Sequence, residues 1–131
     1  MMPYLSIDPD GLRAKLASDL VIAGGWGFIY GLAPIDLEDD RVPLPEGVER
    51  QTRKIFANLE TLLAAAGLGK RNVVSVRVSL VEYSRLYERM NAAYAGFFPA
   101  DQLPARSCVG VVHLTRGAQI EMDFVLCLAP P

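Results

Sequence analysis

The chain has 131 residues, of which 51% are hydrophobic and 21% are charged, with a net charge of −2 at pH 7. This length predicts a single domain over residues 1–131, and the hydrophobic share excludes a disordered chain and indicates apolar surface covered by a partner subunit. The negative charge offers no footprint for a nucleic acid, and no apolar run approaches the roughly 20 residues of a membrane span, so we expect a cytoplasmic protein without nucleic-acid or membrane partners.

Cysteine and histidine content limits the metal chemistry open to the chain. It has two cysteines, Cys108 and Cys127, and one histidine, His113. The cysteines lack the C-x-x-C or histidine spacing of a zinc site, and two are too few for a disulfide framework. Both lie in predicted strands, where a reduced cysteine behaves as a small hydrophobe. We therefore expect no metal.

The amino-terminal quarter predicts short elements. Residues 4–7 predict an edge strand, and residues 12–16 predict a brief helix after a turn. Two apolar runs, residues 20–23 and 26–30, flank the pair Gly24-Gly25. Because both glycines can take positive φ without a steric cost, the pair predicts a β-hairpin.

Two helices and a strand are predicted in the middle of the chain, after an acidic loop at residues 36–45. From Glu46 onward apolar residues recur at steps of three and four, and Gly67 ends this helix at its C′ position. Residues 72–80 alternate as a half-buried strand, and residues 82–98 predict a second helix. A strand reached through a helix favours parallel pairing in a right-handed crossover.

Two apolar runs near the end of the chain predict strand, turn and strand. The first contains Val109, Val111 and Val112, and the second alternates over residues 120–126. We interpret them as neighbouring strands of one sheet. Two helices on one face of a mixed β-sheet make an α+β fold, whose other sheet face must be covered, for example by a second subunit.

Arg106 is the leading candidate for ligand binding. It lies two positions before Cys108 on a predicted strand, so both side chains point to one face, and Glu121 follows on the next strand. A planar, permanently charged guanidinium can grip a ligand carboxylate through two parallel hydrogen bonds. The same residues also fit an ordinary surface salt bridge between Arg106 and Glu121. Asn91, beside the apolar stripe of the second helix, fits an exposed helix polar residue as well as a binding residue.

Five short motifs follow one another in a specific order within residues 25–128. They are Tyr30-Gly31-Leu32-Ala33-Pro34, Ala64-Ala65-Ala66-Gly67-Leu68, Asn91-Ala92-Ala93-Tyr94-Ala95-Gly96-Phe97-Phe98, Pro104-Ala105-Arg106-Ser107-Cys108-Val109 and Ile120-Glu121. Together they resemble the reactive intermediate deaminase family (RidA, formerly YjgF). The resemblance implies a chorismate-mutase-like (YjgF) fold, a homotrimer whose sheets surround a central barrel, and ligand clefts between subunits.

The resemblance also implies a chemistry. Family members with the arginine hydrolyse reactive enamine or imine intermediates, such as 2-aminoacrylate, to 2-oxo acids and ammonia. Since an iminium carbon is already electrophilic, the protein needs a carboxylate clamp, an oriented water and a proton route, without a metal or cofactor. The expected partner is therefore a small imine or enamine that carries a carboxylate.

Carried over residue by residue, the resemblance implies a role for each site position. Arg106 binds the substrate carboxylate, and Asn91 belongs to the cleft wall. Glu121 positions the attacking water and provides the proton route if burial raises its pKa. The backbones of Gly31 and Cys108 line the cleft, and Cys108 counts as a catalytic residue only in that sense, because no base is placed to form its thiolate.

The chain departs from the family pattern before the first hairpin. The family usually carries an Ile-Gly-Pro-Tyr segment there, whose tyrosine contributes to the site, whereas residues 15–19 read Lys-Leu-Ala-Ser-Asp. Tyr4 and Tyr30 are the nearby candidates to replace it, and Tyr30 stands at a substrate-binding position where a small serine is common. The alternative function is therefore a binding protein for small carboxylates or metabolites, without turnover. An RNase or translation inhibitor fits less well because the chain is acidic.

Overall fold

The chain was analysed as a computed structural model that describes residues 3–9, 11, 13 and 15–130. Within this part, six strands and two α-helices follow one another along the chain. They are β1 (Tyr4–Leu5), β2 (Leu20–Ala23), β3 (Trp26–Leu32), α1 (Val48–Ala65), β4 (Val73–Leu80), α2 (Tyr83–Tyr94), β5 (Ala105–Gly110) and β6 (Ile120–Cys127). No helix of these residues is long and apolar enough to cross a membrane.

The strands form one mixed sheet in the order β1-β2-β3-β6-β4-β5. Only β4 and β5, which α2 connects, pair in parallel. The crossover predicted through the first helix joins β3 to β4, and these two strands run parallel but do not pair, because β6 lies between them. The other neighbours are antiparallel. The predicted α+β fold with a mixed sheet is confirmed.

One predicted strand pairing is wrong. The sequence was interpreted as placing β5 directly beside β6, but β4 lies between them, since Val78 is opposite Cys108 on one side and Met122 on the other. The reason lies in burial, because every second residue of β6 is fully buried whereas β5 is exposed along most of its length. The apolar strand takes the centre of the sheet, and the polar strand takes its edge.

Two predictions that rest on glycine, the β2–β3 hairpin and the end of α1, are confirmed. Gly24 and Gly25 have φ of 57° and 82° in the turn that joins β2 to β3, which confirms the hairpin. After α1, the N–H of Leu68 donates to the carbonyl of Leu63 at 2.8 Å, with Gly67 at φ 71° between them. This pattern is a Schellman motif, and it confirms the predicted end of α1.

Two helical predictions need revision. Helix α2 ends at Tyr94, four residues before the predicted end, because Ala95 is extended and Gly96 takes φ of 85°. The chain therefore leaves the helix before the proline that was expected to close it. The predicted edge strand at residues 4–7 is reduced to the two residues of β1. The brief helix predicted over residues 12–16 includes residues 12 and 14, which lie outside the described residues.

Both helices pack on one face of the sheet and bury a single core. The inward side chains of β6, from Ile120 to Leu126, belong to one buried cluster with Ile55 and Leu59 of α1 and Leu86 of α2. The alternate residues of β6 face the opposite side, which no other element of the described chain covers. We call this opposite side the open face. The sheet thus has one apolar face covered by the helices and one partly exposed face.

Buried Arg13 holds the amino-terminal segment against the rest of the chain. Its guanidinium contacts the Asp19 carboxylate at 2.9 and 3.0 Å and donates to the carbonyls of Ile7 and Leu37 at 2.8 and 3.1 Å. Lys15 adds a contact to Asp19 at 2.6 Å. Burial alone would raise the pKa of Asp19, but hydrogen bonds from Arg13, Lys15 and the Ile7 N–H lower it below its usual value of 3.8.

Asp19→Asn is expected to lower the free energy of unfolding at pH 7 by roughly 3 kcal/mol, because it leaves the Arg13 charge buried without a carboxylate. In the wild type this contribution is complete above pH 3.8 and is lost as the pH falls through the lowered pKa of Asp19. Urea unfolding at several pH values measures both effects. Asp39→Asn, which breaks the exposed pair with Arg41, is the control and should change stability little. Equal losses in the two variants would contradict this account.

Candidate functional site

Arg106 lies on the edge strand β5 and faces α2. It is opposite Val76 in the sheet register, so its side chain leaves on the face that the helices cover. There its Nη2 donates a hydrogen bond to Asn91 Oδ1 at 2.7 Å, and its guanidinium carbon lies 4.6 Å from the centre of the Tyr94 ring. One turn of α2 therefore fixes the orientation of the guanidinium. We call Arg106, Asn91 and Tyr94 the clamp.

The clamp leaves most of the guanidinium available for a ligand. Arg106 is exposed, and within the described residues it forms no ion pair, so the predicted alternative of a salt bridge with Glu121 is wrong. Asn91 is neutral and occupies one donor only, which leaves four N–H donors and a full positive charge. Stacking on Tyr94 restricts the guanidinium plane without neutralising it. This geometry suits a carboxylate.

Cys108 lies beside the clamp, with its side chain on the same face of β5 as that of Arg106, as the strand pattern predicts. Burial raises the pKa of its thiol, and the nearby Arg106 charge offsets this only in part. The thiol therefore stays protonated at neutral pH. This agrees with the expectation that Cys108 does not act as a nucleophile.

A second group of candidate residues lies on the open face, where β3 meets β6. Gly31 interrupts the pairing between Ile29 and Leu32 and takes φ of 62°. Its N–H donates to Asp123 Oδ1 at 2.7 Å. A Cβ at residue 31 would lie 3.4 Å from Glu121 Oε1, so the glycine lets the backbone approach the carboxyl group closely. We call Gly31, Glu121 and Asp123 the carboxyl group site.

Glu121 is electrostatically unlike an ordinary surface glutamate. Its side chain is half-buried, and burial raises its pKa above the usual value of 4.5, with a further rise from the nearby Asp123 charge. A carboxylate with a raised pKa is a stronger proton acceptor than an ordinary surface carboxylate. Asp123 is itself held by the Gly31 N–H. The two carboxyl groups are thus distinguished by their surroundings.

The sheet separates the clamp from the carboxyl group site within one chain. Arg106 and Cys108 share the helix-covered face with Met122, while Glu121, next to Met122 on β6, points to the open face. Strand β4 also lies between the two groups. A single chain therefore does not bring Arg106 and Glu121 to one ligand.

Tyr30 lies on the open face next to Gly31 and is 64% exposed. With Arg77, Asp123 and two serines it lines a cavity of about 280 Å³. Tyr4 is equally exposed, at 64%, and lies on β1. A larger cavity of about 520 Å³ opens where β4 and β5 begin, and none of the predicted site residues line it. In the described residues no three His, Cys, Asp or Glu side chains cluster as metal ligands would.

Two residues of these groups, Tyr94 and Asp123, were not predicted from the sequence as site residues. Tyr94 was assigned to the apolar stripe of α2, yet it supports Arg106. Its position three residues after Asn91 places both on one helix face, which is a usable signal. Asp123 was overlooked although the alternation of β6 puts it on the same face as Glu121. Its contact with Gly31 depends on the bulge in β3, which the sequence did not indicate.

Gly31→Ala is expected to reduce activity, because the added Cβ would contact Glu121 Oε1 at 3.4 Å and cover part of that carboxyl group, and the left-handed φ of 62° disfavours alanine by about 1 kcal/mol. Gly24→Ala is the matched control, since Gly24 has φ of 57° but its added Cβ would meet nothing within 4 Å. Both variants should lose similar stability in urea unfolding, and only Gly31→Ala should lose turnover or ligand affinity. Equal function in the two variants would show that the contact with Glu121 does not matter.

The fold and the two polar groups define a small α+β domain with clusters of polar side chains on both faces of one sheet. Comparison with known proteins then gives the family. The sequence profile described as endoribonuclease L-PSP matches residues 14–127. The chain belongs to this family, which includes the RidA and YjgF proteins, and the resemblance seen in the sequence is confirmed.

Individual relatives agree with this assignment. A RutC family protein of Synechocystis is 32% identical over 108 residues, which are 82% of this chain and 82% of the relative. The crystal structure of RidA from the Antarctic bacterium Psychrobacter matches with a TM-score of 0.81 and 25% identity, covering 97% of this chain and 99% of that one. The Rid family protein YyfA of Yersinia pestis has the same TM-score, 0.81, at 26% identity, over 97% of this chain and 98% of its own.

Proposed function

We propose that the protein is a cofactor-independent deaminase that hydrolyses small imines and enamines, of the 2-aminoacrylate type, to 2-oxo acids and ammonia. The observation that supports it best is the clamp, in which Asn91 and Tyr94 orient an Arg106 guanidinium that no carboxylate of the described chain occupies. A substrate with a carboxylate next to the imine carbon fits this arrangement. Family membership supports the same reaction class.

The proposed site is a cleft between two subunits. Since the sheet separates Arg106 from Glu121 in one chain, a substrate that touches both must lie between the clamp of one copy and the carboxyl group site of another. Exposed Trp26, Phe28 and Tyr30 on the open face support its coverage by a second copy. A homotrimer is the assembly proposed. Sedimentation equilibrium should give about three times the 14.3 kDa chain mass, and a monomer would contradict the shared cleft.

The reaction needs few protein groups. An enamine first gains a proton at carbon and becomes an iminium ion, the protonated form of the imine, whose carboxylate Arg106 holds. Glu121, in its ionised form, accepts a proton from a water molecule that attacks the imine carbon and forms a tetrahedral carbinolamine. Return of that proton to nitrogen lets the C–N bond break and ammonia leave, and the hydroxyl proton passes to Glu121 and then to solvent, which leaves the carbonyl of the 2-oxo acid. Water and imine are thus consumed, and the protein is unchanged.

The proposal is tested by measuring the release of 2-oxo acids from intermediates formed in solution. An amino-acid oxidase generates imines, and a serine or threonine dehydratase generates enamines. Addition of the protein should accelerate 2-oxo acid release over the spontaneous rate. No acceleration across several side chains, in a protein with the expected mass, would contradict the deaminase proposal.

A binding protein without turnover is the second candidate. It is favoured by the absence of the family's site tyrosine from residues 15–19, before the first hairpin. In this segment Lys15 and Asp19 form an ion pair with each other, and Asp19 also pairs with Arg13. In that case small carboxylates should bind in calorimetry while imine hydrolysis stays at its spontaneous rate. A nuclease remains the weakest candidate, because the net charge of −2 gives no electrostatic attraction for RNA.

A further inference from the structure

A line of large side chains follows the face of α2 that meets β5. Tyr83, Tyr87, Asn91 and Tyr94 recur at steps of four, four and three, so they lie on one side of the helix. At one end of this line, Arg106 contacts Asn91 and Tyr94. At the other end Tyr83 meets Gly110, which lies four positions after Arg106 on β5. These side chains therefore form one row beside β5, from the clamp to Tyr83.

The far end of this row is aromatic. The rings of Tyr83 and Tyr87 stack with centroids 4.8 Å apart and an angle of 19° between their planes. Tyr83 is the first residue of α2 and follows Glu82, which takes φ of 45° and pairs with Arg85. Tyr87 packs against the edge of the core, whereas Tyr83 remains 37% exposed, so the stack reaches from the core to the surface.

The backbone of β5 makes room for this pair. A Cβ at residue 110 would lie 3.2 Å from Tyr83 Cβ, a tight contact that would force Tyr83 to shift slightly away from the strand. Partial burial raises the pKa of Tyr83, and the neighbouring Tyr87 and Cys108 raise it further, which agrees with a position beside Cys108. Cys108 thus lies between the clamp and the two rings, as a small apolar floor.

The spacing of these side chains along α2 matches a particular ligand shape. One helical turn, about 6 Å, separates Tyr87 from Asn91. A carboxylate held by Arg106 would therefore place a substituent two bonds beyond the imine carbon near the Tyr87 ring. Stacked and edge-to-face contacts between aromatic rings stabilise a complex more than apolar burial alone. A small aliphatic substituent would leave most of this wall in contact with water.

We infer that the stacked Tyr83 and Tyr87 rings form the side-chain wall of the Arg106 cleft and select ligands that carry an aromatic side chain two bonds from the carboxylate-bearing carbon. The inference rests on the proposed function for the reaction, since the substrate would be the imine of an aromatic amino acid. It does not need turnover for the binding preference. Tyr83 acts as a positioning residue that fixes the Tyr87 ring.

Calorimetry with two non-reacting probes, phenylpyruvate and pyruvate, tests the preference. The wild type should bind phenylpyruvate more tightly than pyruvate. Tyr83→Ala should reduce this affinity ratio by about tenfold, and Tyr83→Phe, which keeps the ring, should restore it. Arg106→Met should weaken both ligands together. Arg50→Ala, at an exposed residue of α1, is the control and should keep the wild-type ratio.

Two further measurements keep the outcomes distinct. Gly110→Ala presses a Cβ against Tyr83 without removing a ring, so it should also reduce the ratio; it replaces Tyr83→Ala if that variant does not fold. An unchanged ratio in the folded variants, or a wild type that prefers pyruvate, would overturn the inference. A phenylpyruvate preference that depends on Tyr83, without imine hydrolysis, would uphold the inference and contradict the deaminase proposal. Hydrolysis of alanine-derived and phenylalanine-derived imines at equal kcat/KM would uphold the deaminase and overturn the selectivity.

Discussion

Arg106→Ala is expected to lower kcat/KM for imine hydrolysis by about 100-fold or more. The variant loses a charge-assisted, two-bond contact with the substrate carboxylate, which is worth roughly 3 kcal/mol. It also removes the cation above Tyr94 and frees Asn91. The measurement is 2-oxo acid release from imines formed in solution, for wild type and variant at the same concentration.

Two controls separate the loss of the clamp from a general loss of structure. Arg106→Lys keeps the charge but cannot form two parallel hydrogen bonds, so it should recover only part of the activity. Arg50→Ala removes an exposed arginine of α1 and should leave activity at the wild-type level. Because Arg106 is exposed on an edge strand, its removal should change the unfolding midpoint little. Full activity of Arg106→Ala would contradict the clamp.

Much of the fold could be predicted because its signals are local. The Gly24-Gly25 pair, the end of α1 at Gly67 and the alternation of β6 each depend on the conformational freedom of glycine or on the period of a single element. The shared face of Arg106 and Cys108 also follows from one strand. These features need no knowledge of which elements become neighbours.

The features of the fold and site that could not be predicted from the sequence depend on contacts between distant segments. The position of β4 between β5 and β6 depends on which strands take the centre of the sheet. Strand β6 lies at the centre, where its apolar inner face is fully buried. The role of Tyr94 depends on α2 crossing β5 at Arg106. The separation of Arg106 from Glu121 follows from the same strand order. Sequence periodicity assigns a face within each strand but does not say which strands adjoin.

Glu121→Gln is expected to lower kcat by about 100-fold, with a smaller change in KM, because the amide can accept a hydrogen bond from water but cannot take its proton. In the wild type the raised pKa of Glu121 places the acid limb of kcat/KM above pH 4.5, with activity rising as the carboxyl group ionises. This limb should be absent from the residual activity of the variant. Stability should not fall, since burial disfavours the ionised carboxylate and the amide avoids that cost.

Asp123→Asn tests the cause of the raised pKa. The asparagine can still accept the Gly31 N–H through its carbonyl oxygen, so the backbone contact of 2.7 Å is retained while the negative charge is lost. Removing this like charge lowers the pKa of Glu121, so the acid limb of the pH profile should move to lower pH and the plateau rate should stay similar. A limb that stays in place would assign the raised pKa to burial alone. A limb that is unchanged in both variants would show that Glu121 is not the titrating base, and the water would then need another proton acceptor in the cleft.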